Sequence, residues 1–513
     1  MTRANRIFFA AVLAAAVSAP AAGADLPRHP DDLQYPAQKF TPPVAKDHRV
    51  ALKGGSAAYL APDRTLPLVT IRVFMRIGPD LDPQGKEGLG RGVVHLLTRS
   101  GTATSTAKDL EDRVAFLGAQ LDSRMGPGGG GFFGLGAPPV TPAESRAEIN
   151  LLSKDVDQGL AILVDCLKSP AFEKERVDLA RDQLMQEIKE RNDDSETIEG
   201  YEWSYLVRGE GHWTNRHPTK ASVESITHDD LVAFHKKYVG PKNFIIAVSG
   251  DFDRKAMKAK LDQAFANWPV AGTNPGPPPA PSVAADPGMY LVEKDVNQGR
   301  VTIGLRAPDR YDPDWDTFQV MNLVLGGAGF SSRLVGKIRS DEGLAYSVRS
   351  QFEGGHYYGD AWRIRFQSKV RSVAYATDLA MKEVGQMASS EVSDAELSLA
   401  KNLITEGMPA LFESADAIAG VLAVEELTGR YAKKPTYFKD LPGNIGKVTS
   451  ADVKRVAQRL LDPSKMITLC VGDTEEMLKG DPKHPSDLRA LAGGSPRHLP
   501  LRDPLTMQPM PTP

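Results

Sequence analysis

Two segments of this 513-residue chain hold residues spaced for chemistry. At 88–102 it reads GLGRGVVHLLTRSGT, a helix-like stretch in which Arg91 and His95 stand four apart, on one face, with Val94 between them. At 326–348 it reads GGAGFSSRLVGKIRSDEGLAYSV, a Gly-rich turn followed by Arg339, six residues and Tyr346. An arginine can hold a carbonyl or carboxylate by charge-assisted hydrogen bonds, and a tyrosine can donate to a developing oxyanion. Other signals are weak. GPGGGG at 126–131 lacks the Lys-Ser/Thr and the helix start of a phosphate loop, and no Gly-x-Ser-x-Gly elbow or C-x-x-C pair appears. His212, His217, His228 and His235 stand among mostly polar residues and read as surface positions. Cys166 and Cys470 lie in apolar runs in different halves and read as two separate buried thiols.

The elements around these residues follow from composition and pattern. Lys and Arg total 62 against 65 Asp and Glu, a net charge of −3 that gives no basic field for nucleic acid. Apolar residues at 41% can fill real cores, and two cysteines cannot staple a chain of this length. Residues 1–24 carry Arg3 and Arg6, an apolar run over 7–17 and Ala22-Gly23-Ala24, which together read as a secretory signal peptide. That implies a secreted, periplasmic protein, and no later run is apolar enough to suggest a membrane span. An N-terminal extension follows over 25–45. Seven prolines at 269–288 mark a linker between a lobe at 46–268 and another at 289–479, and the Pro-rich end at 480–513 reads as a flexible tail.

The two lobes repeat one another. ITHDDLVAFHKKYVGPKNFIIAVSGD at 226–251 and VTSADVKRVAQRLLDPSKMITLCVGD at 448–473 align without a gap. Thr227 meets Thr449, Asp230 meets Asp452, Pro241 meets Pro463, and Gly250-Asp251 meets Gly472-Asp473. Each copy predicts a Thr-capped helix, a Pro turn and a β-branched strand. VTIRVFMRIGPDLDP at 69–83 and VTIGLRAPDRYDPD at 301–314 form a second pair. Apolar spacing predicts further helices over 105–117, 173–192, 329–340 and 393–412. The pattern predicts an α+β fold of two duplicated lobes, each a mostly antiparallel sheet covered by helices.

The duplication together with 88–102 resembles the insulinase/pitrilysin family, the inverted-motif zinc peptidases, over about residues 46–475. In that family a G-L-A helix carries H-x-x-E-H: two histidines hold zinc, the Glu activates the metal-bound water, and a later Glu completes the site. The resemblance places Arg91 at the first His, Val94 at the catalytic Glu and His95 at the one retained ligand. Glu187, in LMQEIKERNDD, matches the distal Glu, and the extra spacing is taken up by a Gly/Pro-rich insertion at 126–145. Val94 accepts no proton, Arg91 is a permanent cation, and His95 with Glu187 make two ligands where zinc takes three or four. The motif is degenerate, so the chain itself is expected to hold no metal or other cofactor. Arg339 and Tyr346 fall on the family's substrate-binding pair. The resemblance therefore implies a clam-shell around a peptide chamber and a non-catalytic subunit, inactive alone, that completes the active site of a zinc-bearing partner. A catalytically inert peptide-binding or assembly protein is the alternative.

Overall fold

Strong period-2 alternation at the start of each half builds the strands, and the long β-branched runs are buried on both faces. A computed structural model describes residues 40–126 and 141–511. The signal segment 1–24, most of the extension and residues 127–140 of the insertion lie outside the described residues. In the first half, β1 (Arg49–Ala51), β2 (Ala57–Pro62), β3 (Leu68–Met75), β4 (Gln120–Met125), β5 (Ser145–Leu152) and β6 (Phe244–Gly250) form a sheet in the order β1-β2-β6-β3-β5-β4. In the second, β7 (Gly288–Glu293), β8 (Gln298–Arg306), β9 (Ala345–Glu353), β10 (Ala361–Lys369), β11 (Ile467–Gly472) and β12 (Arg497–Leu499) run in the order β12-β7-β11-β8-β10-β9. After the first strand of each order, the positions correspond one to one, including the parallel pairs β2–β6 and β7–β11 in otherwise mostly antiparallel sheets. The protein is α+β, with two lobes of one topology.

The helices that cover these sheets and carry the candidate residues are α1 (Leu89–Leu96), α2 (Lys174–Lys189), α3 (Ser195–Arg208), α4 (His228–Tyr238), α5 (Asp394–Gly407), α6 (Ala415–Leu427) and α7 (Ser450–Leu460). The repeated Thr-x-x-Asp signals form capping boxes at α4, between Thr227 and Asp230, and at α7, between Thr449 and Asp452. Each repeat ends on a glycine with positive φ, Gly250 at 114° and Gly472 at 154°. A Cβ on Gly250 would collide with the Leu68 carbonyl oxygen, so no larger residue fits this crossing.

The outer face of the first sheet packs on α1 and α4 through residues such as Ile71, Val73, Ile149, Val93 and Leu231. Its inner face, with Tyr59, Ala61, Phe74 and Ala247, is covered by α6, a helix from the other half. The exchange is reciprocal: α3 of the first half lays Ile198, Trp203, Leu206 and Val207 against Tyr290, Val292, Leu469 and Val471 of the second sheet. The two helices match position by position, Glu196 with Asp416, Ile198 with Ile418 and Gly200 with Gly420. Glu196 pairs with Arg365 at 3.0 Å on the second sheet, and Asp416 with Arg72 at 3.3 Å on the first. Each fully buried large apolar side chain contributes about 1.5–3 kcal/mol, so stripping one exchanged helix costs on the order of 10 kcal/mol. That is comparable to the whole stability of an ordinary domain.

Two sequence expectations change. The end of the chain is not a loose tail: β12 pairs in parallel with β7, and Leu488 is fully buried. Beyond it, Arg502 pairs with Glu202 at 2.9 Å and Glu210 at 2.6 Å, and its guanidinium lies 3.7 Å from the Tyr205 ring centroid. Proline content lowered the expectation of order, but a three-residue strand on an open edge and one arginine suffice to dock the segment. Over 329–340, in place of an α-helix, the chain forms a 3₁₀ turn at Gly329–Ser331 and a π-helical segment at Val335–Asp341. Apolar spacing alone does not separate the two helical periods. Truncation after Gly494 uncovers the β7 edge and leaves Glu202, which is 4% exposed, without its cation. The expected loss is about 3 kcal/mol, read as a lowered denaturation midpoint; an unchanged midpoint would contradict the docking.

Candidate functional site

The helix carrying the degenerate motif is fastened at its start. Asp82 accepts hydrogen bonds from the Gly88 and Gly90 amides at 2.8 and 2.7 Å, closing the amino end of α1. Val93, Val94 and Leu96 face the core, which leaves Arg91, His95 and Arg99 along the outward face at helical spacing. Arg91 grips Glu187 of α2 with Nη2 2.6 and 2.9 Å from its two carboxylate oxygens. Arg99 pairs with Asp122 at 2.5 Å. Burial, then the Arg99 and Arg91 charges, hold the His95 imidazole below its ordinary pKa, so it is neutral at pH 7.

This donor set does not fit zinc. Both oxygens of the only carboxylate at the expected ligand position are taken by a guanidinium. A dication at His95 would lie between two arginines, and Val94 points into the core. Among the described residues no group of three His, Cys, Asp or Glu side chains could hold a metal ion. Glu187, matched in the sequence to the distal ligand position, is held by Arg91.

The second segment is built from backbone irregularities. Leu323–Gly327 is π-helical, Gly329–Ser331 is 3₁₀, and Val335–Asp341, which carries Arg339, is π-helical again. Such π segments are rare and recur at functional sites. Gly326 lets this chain lie on β9, since a Cβ there would be 2.7 Å from the Ser350 amide. On β9 itself Val348 pairs with Phe366 and Ala345 with Ser368, so Tyr346 and Ser347 bulge opposite Gln367 alone. The bulge turns Tyr346 outward, where it is 85% exposed.

The two irregularities bring the predicted pair together. The Arg339 guanidinium lies 4.7 Å from the Tyr346 ring centroid and 4.4 Å from that of Phe330, which is 70% exposed. The sequence reading missed Phe330. Its signal was a large aromatic in a Gly/Ser run, where no apolar neighbour recurs at helical or strand spacing. Among the described residues no carboxylate or hydrogen-bond acceptor reaches the Arg339 guanidinium, so its in-plane N–H groups are free. Arg333 differs: it binds Glu396 of α5 through two hydrogen bonds at 2.6 and 3.0 Å and tethers the loop. Between this segment and Arg91, His95 and Glu187 there is no hydrogen bond, ion pair or ring contact among the described residues.

A cavity of about 510 Å³ lies elsewhere, between α3, the linker and the β9–β10 connection, lined by Tyr201, Arg208, Trp213, His217, His356 and Tyr357 among others. None of the predicted site residues borders it. His228 is exposed as its surface reading has it, and the other three histidines correct theirs. His212 and His235 are buried, donating to the Pro279 and Leu167 carbonyls at 3.2 and 2.8 Å, and burial pushes His217 down to about 3. For His212 and His235 a backbone carbonyl satisfies the ring N–H inside the protein, a partner that polar flanking sequence does not reveal. Cys166 and Cys470 are buried and free, and burial pushes both thiols up to about 12.

Fold and site together define a duplicated two-lobe protein in which Arg91 is ion-paired to Glu187 and Arg339 sits in an open cluster with two aromatic rings. Residues 225–404, which include Arg339 and Tyr346, match the family described as peptidase M16 inactive domain. An uncharacterized zinc protease of Mycobacterium leprae is 25% identical over 81% of this chain and 89% of its own. The crystal structure of a peptidase M16 inactive domain from Pseudomonas fluorescens superposes with a TM-score of 0.71 at 21% identity, covering 83% of this chain and 97% of that one. The structure of a protease from Helicobacter pylori gives 0.68 at 18% identity, covering 82% and 98%. The chain is thus similar to insulinase-like M16 peptidases across both lobes, with the family match itself falling on residues 225–404.

The tether at Glu396 has a pH signature. Arg333 first, then the Ser393 amide and hydroxyl, hold the Glu396 carboxyl down at about 2, from an ordinary 4.5. A depressed carboxylate contributes stability that is complete above about pH 4.5 and is lost as pH falls toward 2. Glu396→Gln is expected to cost about 1–2 kcal/mol at pH 7. Thermal melting of both proteins across that window should show the gap closing as pH falls; a gap constant down to pH 2 would contradict the tether.

Proposed function

We propose that this chain is a non-catalytic, peptide-binding subunit of an insulinase-like zinc peptidase, and that it lends Arg339 and Tyr346 to the active site of a zinc-bearing relative. The observation that carries the reading is the contrast between two arginines. Arg91 stands where the first metal ligand would be and is neutralised by Glu187, whereas Arg339 is packed between aromatic rings with its hydrogen-bonding edge free. One site is closed to chemistry and the other is set for recognition.

In this arrangement Arg339 holds a backbone carbonyl or carboxylate of the bound peptide, and the Tyr346 hydroxyl donates to the oxygen on which charge develops during cleavage by the partner. The zinc and the general base belong to the partner. The 1–24 segment supports export, with a periplasmic location in a two-membrane cell. Among the described residues no single helix is long and apolar enough to cross a membrane.

The test is reconstitution. The purified chain alone should take up no zinc and cleave no peptide. With an M16 relative that retains H-x-x-E-H and is encoded beside it, turnover should appear and be abolished by EDTA. Arg339→Ala in that complex should lower kcat/KM about 10²-fold, the scale seen when one oxyanion donor is removed. EDTA-sensitive cleavage by the lone chain, or unchanged turnover with Arg339→Ala, would overturn the proposal.

A further inference from the structure

The open arginine has a geometry that selects among possible ligands. We infer that Phe330, Arg339 and Tyr346 form a receptor for a carboxylate on the bound peptide, with Phe330 the positioning residue that holds the guanidinium for it. The inference rests on the reading that this segment binds peptide, and adds which peptides it prefers.

Three observations carry it. First, both rings lie within cation–π distance of the guanidinium, 4.4 and 4.7 Å from their centroids. Packing of this kind leaves the in-plane N–H groups as the free donors. That planar fork matches the two oxygens of a carboxylate through parallel hydrogen bonds, a geometry that a single amide carbonyl cannot use fully.

Second, the charges around it are unbalanced. Three acids around the segment are engaged: Lys337 is 3.2 Å from Glu342 and 3.8 Å from Asp341, and Arg333 holds Glu396, while Glu383 lies in the field of Arg333 and Lys337. Arg349, three residues beyond Tyr346 on the same strand, is exposed and has no acidic partner among the described residues. It stands directly across from Arg365 of β10. The Arg365 charge is met by Glu196 and Glu199, which leaves Arg349 as the unpaired member. The edge of the second lobe therefore carries two uncompensated cations, Arg339 and Arg349, on a chain whose net charge is −3. An anionic ligand removes the imbalance.

Third, Phe330 and Tyr346 are 70% and 85% exposed. Large aromatic surface left in water is unfavourable, and an apolar side chain next to the carboxylate would cover it. Covering the rings also lowers the local dielectric and strengthens the ion pair. The ligand class implied is a peptide with a carboxylate beside an apolar residue. The carboxylate can be the chain's own C-terminus or an Asp or Glu side chain.

Fluorescence anisotropy with the isolated full chain tests this, using three labelled forms of one apolar hexapeptide: the free C-terminal acid, the C-terminal amide, and the amide with one internal Asp. The expected result is about tenfold tighter binding of a carboxylate form than of the plain amide. Which of the two carboxylate forms gains identifies the source. Phe330→Ala should weaken the carboxylate peptide about threefold or more and the amide by less, so that the preference shrinks, and Phe330→Trp should restore it. Arg339→Lys keeps the charge but loses the fork, and should abolish the preference. Because Phe330 is exposed, thermal melts of its variants should match the parent. Equal affinity for acid and amide, or a Phe330→Ala protein that keeps the preference, overturns the carboxylate receptor and leaves peptide binding standing. Failure of the parent chain to bind any of the three overturns both.

Discussion

Neither half of this protein can cover its own sheet. The inner faces hold Tyr59 and Phe74 in one lobe and Tyr290 and Leu469 in the other, and each is sealed by a helix that the chain sends across from the opposite half. The exchange also carries charge. Glu199 of α3 is fully buried, and its carboxylate is satisfied by Arg365 at 2.6 Å and the Thr302 hydroxyl at 2.5 Å, both from the second sheet. A buried carboxylate left without such partners is strongly destabilising. Relative placement of the lobes is therefore set by burial and ion pairing rather than by the proline-rich linker. The linker in turn is held down: its Pro279 carbonyl accepts from His212 and from the Trp213 indole at 3.0 Å, and its Pro281 carbonyl from Arg306 at 2.7 Å.

That interlock provides a rigid base on which the edge of the second sheet can be irregular. Regular pairing along β8–β10 would direct every side chain up or down. The bulge at Tyr346 and the π segment under Arg339 depart from this at adjacent places, and their departures bring two side chains and Phe330 to one point. Local irregularity persists where surrounding structure over-determines it, and here β9 is pinned by β10 on one side and by Asn322, which donates to the Ser350 carbonyl at 3.3 Å, on the other.

What was legible in the sequence was local. Thr227 with Asp230, Thr449 with Asp452 and the Gly-Asp ends of the repeats act within a few residues, so their pattern states their structure, and the α+β duplication followed from them. Arg339 and Tyr346 were legible as a spacing carried by resemblance. The helix exchange was not, because α3 and α6 look like any apolar-faced helices and their partners are defined only by the assembled sheets. Nor was the docked C-terminal segment, whose Arg502 finds Glu202 some 300 residues earlier. The grip of Arg91 on Glu187 lay between the two cases. Both residues were singled out, but as failed metal ligands, and opposite charges brought together by that failure pair with each other.

Three arginines on the predicted segments show why residue type alone did not locate the site. Arg91 and Arg333 each have a carboxylate within 2.6 Å, and each ends as a structural link between helices or loops. Arg339 has two rings and, among the described residues, no acid. An arginine that gives up the easy stabilisation of a salt bridge, on backbone bent to keep it there and beside aromatic surface left in water, breaks three local rules at once. Sequences that fold well rarely do so without compensation elsewhere. In this chain the compensation is missing from the described residues, and a ligand that supplied negative charge and apolar cover together would satisfy all three departures in one contact.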